Sequence, residues 1–154
     1  MRRTGTAFAC IAALALLAAY GAAAGAGQGG GQLCKGRPAT IVGQPGDDTL
    51  EGTPNNDVIV GLGGNDTIKS KGGHDTVCGD TGRDGINGGN SGDKILGGPG
   101  GDLLLGAGGD DKLNGQEGDD LLGGQGGRDV CDGGPGDDLA TGANCEKTRS
   151  TQET

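Results

Sequence analysis

Aspartate occurs at every ninth position from Asp48 to Asp138, passing through Asp57, Asp66, Asp75, Asp84, Asp93, Asp102, Asp111, Asp120 and Asp129 without one insertion. Self-similarity at a fixed period marks a repeat architecture, so the unit of folding is a nonapeptide. Other columns of the frame follow rules as strict. Two residues after each Asp stand Leu50, Ile59, Ile68, Val77, Ile86, Ile95, Leu104, Leu113, Leu122, Cys131 and Ala140, an apolar series of small to medium side chains. Five residues before each Asp the chain carries glycine from Gly43 to Gly133, with Ser70 the one exception, and two before it glycine recurs except at Asn55 and Ser91. Both glycine columns read as turn positions, where a positive φ is permitted and carbonyls can approach a ligand.

One apolar residue in nine fits neither an amphipathic helix nor an alternating strand of ordinary length. It fits a coil of very short strands separated by six-residue turns, with the apolar column as its core. A disordered acidic linker is the rival reading, since the chain has 39 glycines and a net charge of −9. Such a composition by itself cannot offset the entropy of ordering. A linker, however, has no reason to hold an apolar residue in phase with an acidic one.

The ends differ from the middle. Arg2 and Arg3 precede an apolar run from Ala7 to Tyr20 and a small-residue step at Ala22-Ala23-Ala24, which reads as an export signal over residues 1–24. The run is shorter than the roughly 20 apolar residues a span needs, so no membrane span is expected. Residues 25–42 are expected to form an N-terminal segment and cap, 43–141 the repeat domain, and 142–154 a C-terminal cap and mobile tail. Loss of Arg2 and Arg3 takes the net charge to −11. That balance repels nucleic acid and leaves metal cations as the natural partners. Four cysteines remain, Cys34, Cys78, Cys131 and Cys145, an even number that favours disulfides in an exported chain. A zinc site is disfavoured, because there is no CxxC pair and His74 is the only histidine.

The nonapeptide resembles the RTX, or haemolysin-type, calcium-binding repeat G-G-x-G-x-D-x-U-x, over about residues 43 to 141. The resemblance implies an all-β fold, a parallel β-roll or right-handed β-solenoid, in which two nonapeptides make one turn and the x-U-x triplets form two facing sheets. It implies Ca2+ between stacked loops, held by the eleven repeat aspartates and by loop carbonyls. One edge would carry Asp48, Asp66, Asp84, Asp102, Asp120 and Asp138, the other Asp57, Asp75, Asp93, Asp111 and Asp129. Six loops on one edge leave five gaps and five on the other leave four, so at most nine ions fit between loops. Calcium suits such a site independently, since it takes six to eight oxygen ligands from a flexible backbone, whereas magnesium demands a tight octahedron. The cysteine arrangement also resembles that of short exported calcium-binding proteins of high-GC Gram-positive bacteria. Cys34 is expected to pair with Cys78, which should point outward from the sheet, and Cys131 with Cys145.

The remaining acids Asp47, Asp110, Asp119 and Asp137 read as solvated charge, and His74, Arg83 and Arg128 as exposed. No catalytic constellation is evident, because a triad or acid–base pair lacks its histidine partners. The expected function is a secreted, extracellular calcium-binding module that folds on calcium and serves as a structural or partner-binding element. An ice- or carbohydrate-binding surface on the same coil is the alternative, but its threonine column, Thr49 and Thr67, ends at Gly85 and Leu103. Leu103, Leu105, Leu121 and Leu139 should share the outside of one sheet and form a contact patch for a second copy or a partner, unless the C-terminal segment folds over it.

Overall fold

The computed structural model describes residues 32–142 and Cys145; the expected export signal and the tail after Glu146 lie outside the described residues. Fourteen strands make up its regular structure. They are β1 (Leu33–Cys34), β2 (Arg37–Pro38), β3 (Ile41–Val42), β4 (Thr49–Glu51), β5 (Val58–Gly63), β6 (Thr67–Lys69) and β7 (Thr76–Thr81). The series continues with β8 (Gly85–Asn90), β9 (Lys94–Pro99), β10 (Leu103–Gly108), β11 (Lys112–Glu117), β12 (Leu121–Gly126), β13 (Val130–Asp132) and β14 (Leu139–Thr141). No helix among the described residues is long and apolar enough to cross a membrane.

Successive strands alternate between two six-stranded parallel sheets. The first has the order β4-β6-β8-β10-β12-β14 and the second β3-β5-β7-β9-β11-β13. Each residue is therefore registered with the one eighteen positions away, as in Leu103↔Leu121 and Ile59↔Val77. The chain is a β-solenoid of two nonapeptides per turn, the architecture of a β-roll. Ile59, Ile68, Val77, Ile86, Ile95, Leu104, Leu113, Leu122 and Cys131 form one buried column between the sheets, flanked by Ile41, Leu50, Ala140 and Cys145.

Three features depart from the sequence expectation. Strands β5 and β7 to β12 are six residues long, so the turns between them are shorter than six residues. The ladder continues past the core position because loop residues pair too, as in Leu62↔Asp80 and Gly63↔Thr81. The second departure is at the N-terminus, where the roll already begins at β3: Ile41 pairs with Ile59 although Ala39 stands at the Asp position of that repeat. The third is an antiparallel hairpin, β1 with β2, which the repeat pattern could not announce. It lies over the outer face of the second sheet. Cys34 and Ala39 pack there on Val58, Val60, Cys78 and Leu96, making a second buried cluster on the opposite side of that sheet from the main column.

Cys34 is joined to Cys78 at an S–S distance of 2.07 Å, and Cys131 to Cys145. Cys78 sits in the outward-facing position after Val77, and the hairpin reaches it from outside. Cys145 forms a parallel bridge with Asp129 and packs against the end of the core, where Ala140 provides little apolar bulk.

Candidate metal centre

Every repeat aspartate from Asp57 to Asp129 is buried, which for a carboxylate demands compensation. Half of that compensation comes from the backbone. Asp66 Oδ1 accepts the N–H of Asp48 at 2.8 Å, Asp84 Oδ1 that of Asp66 at 2.8 Å, and Asp102 Oδ1 that of Asp84 at 2.8 Å. The same bond runs down the other edge, for example from Asp75 N–H to Asp93 Oδ1 at 2.8 Å and from Asp93 N–H to Asp111 Oδ1 at 2.7 Å. The parallel stacking that sets an eighteen-residue register thus lines the carboxylates into two files.

The other oxygen of each file is left over. Oδ2 of Asp66, Asp75, Asp84, Asp93, Asp102, Asp111, Asp120, Asp129 and Asp138 is buried and has no hydrogen-bond partner. An orphaned ionised oxygen in a solvent-excluded site costs several kcal/mol, so these atoms require a cation or a proton. Their acidity reflects it. Burial pushes Asp93 and Asp102 up to about 7 and Asp84 and Asp111 up to about 6, with neighbouring repeat carboxylates adding to the shift. Burial also raises Asp66, Asp75 and Asp120. The two N-terminal members differ. Asp48 Oδ2 accepts the N–H of Gln44 at 2.5 Å, and Asp57 Oδ2 takes both the N–H and the hydroxyl of Thr53 at 2.7 and 2.8 Å.

The glycines five residues before each Asp explain what faces these oxygens, and they correct the turn reading given to them above. None of these glycines has a positive φ. A Cβ on Gly61 would fall 2.3 Å from Asp66 Oδ2 and 2.6 Å from the carbonyl oxygen of Gly79. On Gly97 it would fall 2.1 Å from Asp102 Oδ2 and 2.8 Å from the carbonyl of Gly115. The position is glycine because carboxylate and carbonyl oxygens of stacked loops converge on it. Positive φ belongs instead to the position two before the Asp, as at Gly64 and Gly82, and to the position four before it. There Leu62, Lys71, Asp80, Ala107, Gln116 and Gln125 all adopt φ between 68 and 83°. Of the two exceptions in the column two before the Asp, Ser91 carries a φ of 79°, whereas Asn55 does not adopt a positive φ.

Among the described residues no three or more His, Cys, Asp or Glu side chains gather at one point. Any ligand shell here must combine carboxylates with main-chain carbonyls. That donor set is all oxygen, flexible and rich in carbonyls, which fits calcium and excludes the nitrogen- and sulfur-seeking metals.

Three of the four acids just before the repeat Asp, all exposed, also accept a backbone N–H from the loop eighteen residues on. Asp47 accepts the N–H of Asn65 at 2.7 Å, Asp110 that of Arg128 at 2.9 Å and Asp119 that of Asp137 at 2.9 Å. His74, Arg83 and Arg128 are exposed. Leu103, Leu121 and Leu139 form one registered column on the outside of the first sheet, at 41, 38 and 60% exposure, and Leu105 is half-buried beside them.

The family model for the RTX calcium-binding nonapeptide repeat, four copies long, matches residues 42–77, 51–86, 71–104, 87–122 and 105–140. A search of curated proteins finds no match.

Proposed function

Because the chain belongs to the RTX calcium-binding nonapeptide repeat family, and so binds calcium as a structural module, we propose that it works outside the cell, folding as calcium fills the gaps between its loops. The ligands in this reading are the eleven aspartates Asp48, Asp57, Asp66, Asp75, Asp84, Asp93, Asp102, Asp111, Asp120, Asp129 and Asp138, with loop carbonyls completing each shell. The observation that carries it is the file of buried Oδ2 atoms without partners. Calcium in the gaps neutralises charges that stacking otherwise brings within about 5 Å of one another. High external calcium would hold the roll folded by mass action. Two disulfides and the apolar segment at residues 7–20 support an oxidising, exported setting. The decisive measurement is far-UV circular dichroism during calcium titration of the chain lacking residues 1–24. A gain of β structure with several ions bound supports the reading, and identical spectra with calcium and with chelator reject it.

The exposed column of Leu103, Leu121 and Leu139 favours a binding role over a passive one. A second copy or a protein partner would cover it. Light scattering in calcium before and after Leu103→Lys with Leu121→Lys tests self-association, which an unchanged monomer in both states would reject. The ice- or carbohydrate-binding alternative is weaker, because only Thr49 and Thr67 begin the column that Gly85 and the leucines continue. Absence of thermal hysteresis would remove the ice-binding form of it.

A further inference from the structure

The chain is strongly acidic, yet one of its surfaces is not. It has 12 basic against 21 acidic side chains, and four of the basic ones, Lys35, Arg37, Lys94 and Lys112, gather on the outside of the second sheet. Arg37 lies over β7, where its guanidinium donates to the Thr76 hydroxyl at 2.7 Å. The next two positions of that outer column are Lys94 and Lys112, in direct register and both exposed. Adjacent strands set their backbones about 4.8 Å apart, an arrangement in which like charges repel. Lysine on a sheet edge discourages strand addition, but β9 and β11 are interior strands, so that role does not account for the pair.

The pair borders a cavity of about 440 Å³, within the size range of small-molecule sites. Lys35 lines the same cavity from the turn of the hairpin. Its neighbour Cys34 is bonded to Cys78, which fastens that turn to the sheet. Leu96, buried beside the hairpin, and Val130 give the cavity apolar surface, while Asn114 and Asp132 add its uncharged and its anionic polar group. Ion pairs among the described residues join Lys71 to Glu51 and Arg128 to Asp110; Lys35, Lys94 and Lys112 take part in neither. Three ammonium groups set against one carboxylate leave the cavity with two positive charges in excess, and a cleft with apolar walls focuses such a field.

We propose that this cavity binds a phosphate monoester, with Lys35, Lys94 and Lys112 as donors to its terminal oxygens. Charge decides the class. A monoester carries about −1.5 to −2 at neutral pH, which matches the excess in the cavity, whereas a carboxylate or a sulfate ester carries a single charge. Lysine suits the group because it is a compact point charge with three rotatable donors, while a planar carboxylate is better matched by the fork of arginine. Asn114 and Asp132 offer hydrogen bonds to hydroxyls on the body that bears the phosphate, so a phosphorylated sugar is the expected ligand. The site uses none of the repeat aspartates, and it needs calcium only to keep the sheet folded.

The test is isothermal titration of glucose 6-phosphate into the calcium-loaded, disulfide-bonded chain, with folding checked by circular dichroism. A single site per chain is expected, and Lys94→Gln with Lys112→Gln should weaken it at least about tenfold. Lys35→Gln should weaken it as well. Lys69→Gln removes the same charge from the outside of the first sheet and should leave affinity within about twofold. Glucose 6-sulfate and glucuronate, each singly charged, should bind at least about fivefold more weakly. Absence of binding overturns the inference. So does an equal loss in Lys69→Gln, which would mean diffuse attraction instead of a site. Affinity unmoved by the three lysine substitutions would place the phosphate on bound calcium and overturns it too, and a sulfate ester bound as tightly as the phosphate overturns the ligand class. Should the double substitution disturb the sheet, Lys35→Gln, which lies on the hairpin outside the solenoid, decides alone: unchanged affinity there overturns the site.

Discussion

Asp102 is bonded to Asp84 through one oxygen only: Oδ1 takes the Asp84 N–H at 2.8 Å, while Oδ2 is buried with no partner. The backbone bond fixes the rotamer and the stacking register together. The second oxygen is left pointing into the wedge at Gly97, opposite the carbonyl of Gly115. Each such carboxylate is therefore a strut through one oxygen and a buried, unpartnered charge at the other, and the sensitivity of the roll to charge follows from that division.

Protons should imitate calcium. Asp93 and Asp102 are raised to about 7 and Asp84 and Asp111 to about 6, so the folded, calcium-free roll binds protons more tightly than the unfolded chain does. The sign follows from linkage: this contribution to stability is fully present below the ordinary carboxylate range and is lost as pH rises through about 6 to 7. Calcium-depleted protein should have more β structure by circular dichroism at pH 5.5 than at pH 8. Calcium affinity should change in the opposite sense, falling as pH drops through the same window. Flat behaviour of both quantities would contradict the assignment of the buried carboxylates.

Asp102→Asn should be far more damaging than Asp138→Asn. Asp102 is buried with stacked loops on both sides, whereas Asp138 is half-buried in the last loop of its file. Asn keeps the acceptor for the Asp84 N–H but loses the charge and leaves an amide facing carbonyls. We expect Asp102→Asn to remove one or two ions and to raise the calcium midpoint of folding at least about tenfold, a difference of about 1.4 kcal/mol. Asp138→Asn should remove at most one ion with a smaller shift.

Gln116→Gly should stabilise the roll. Gln116 is an exposed non-glycine residue at φ 83°, a conformation that costs an L-residue roughly 1–2 kcal/mol. Glycine removes that strain but loses about 0.5–1 kcal/mol through greater freedom when unfolded. A net gain of up to about 1 kcal/mol in calcium, measured by chemical denaturation, is the expected result. A clear loss would mean that the side chain makes contacts outweighing the strain.

Cys34→Ser with Cys78→Ser should loosen the hairpin while leaving calcium binding by the C-terminal loops intact. The bridge spans 44 residues, and a loop of that size contributes about 2–4 kcal/mol in the chain-entropy account. Thermal denaturation in calcium should report the loss, and hydrogen exchange should confine it to β1, β2 and the outer face of β5, β7 and β9. Loss of every calcium site would instead mean that the clamp is required for the whole roll to form.

The Asp and apolar columns were legible because they need the same chemistry in every repeat, and a strict period displays such a need directly. The solenoid, its two sheets and the alternation of loops between two edges follow from those columns. The left-handed position four before each Asp was not legible. Leu62, Lys71, Asp80, Ala107, Gln116 and Gln125 share a backbone angle but no side-chain chemistry, and only Gly89, Gly98 and Gly134 in that column hint at it. Of the two glycine columns noticed, the one two before the Asp is set by positive φ, as read, and the one five before it by space between oxygens. Ser70 could be recognised as an exception from the pattern, but its hydroxyl contact with the Gly88 carbonyl could not. The hairpin lies outside the repeat, where two short strands and one cysteine give periodicity nothing to act on.

Strict pairing at eighteen residues has an arithmetic consequence for how such a chain can lengthen or shorten. The outside of one sheet carries Leu103, Leu121 and Leu139, while the corresponding positions of the other carry Lys94, Lys112 and Val130. Deleting a single nonapeptide would keep the core column in phase and the fold intact, yet transpose the two outer surfaces beyond the cut, stacking lysine positions above leucine. Deleting two would leave both surfaces continuous and the solenoid one turn shorter, by about 4.8 Å. The smallest edit that preserves the faces is thus a pair of repeats, and parity, which the nine-residue period conceals, decides whether a change in length is also a change of surface.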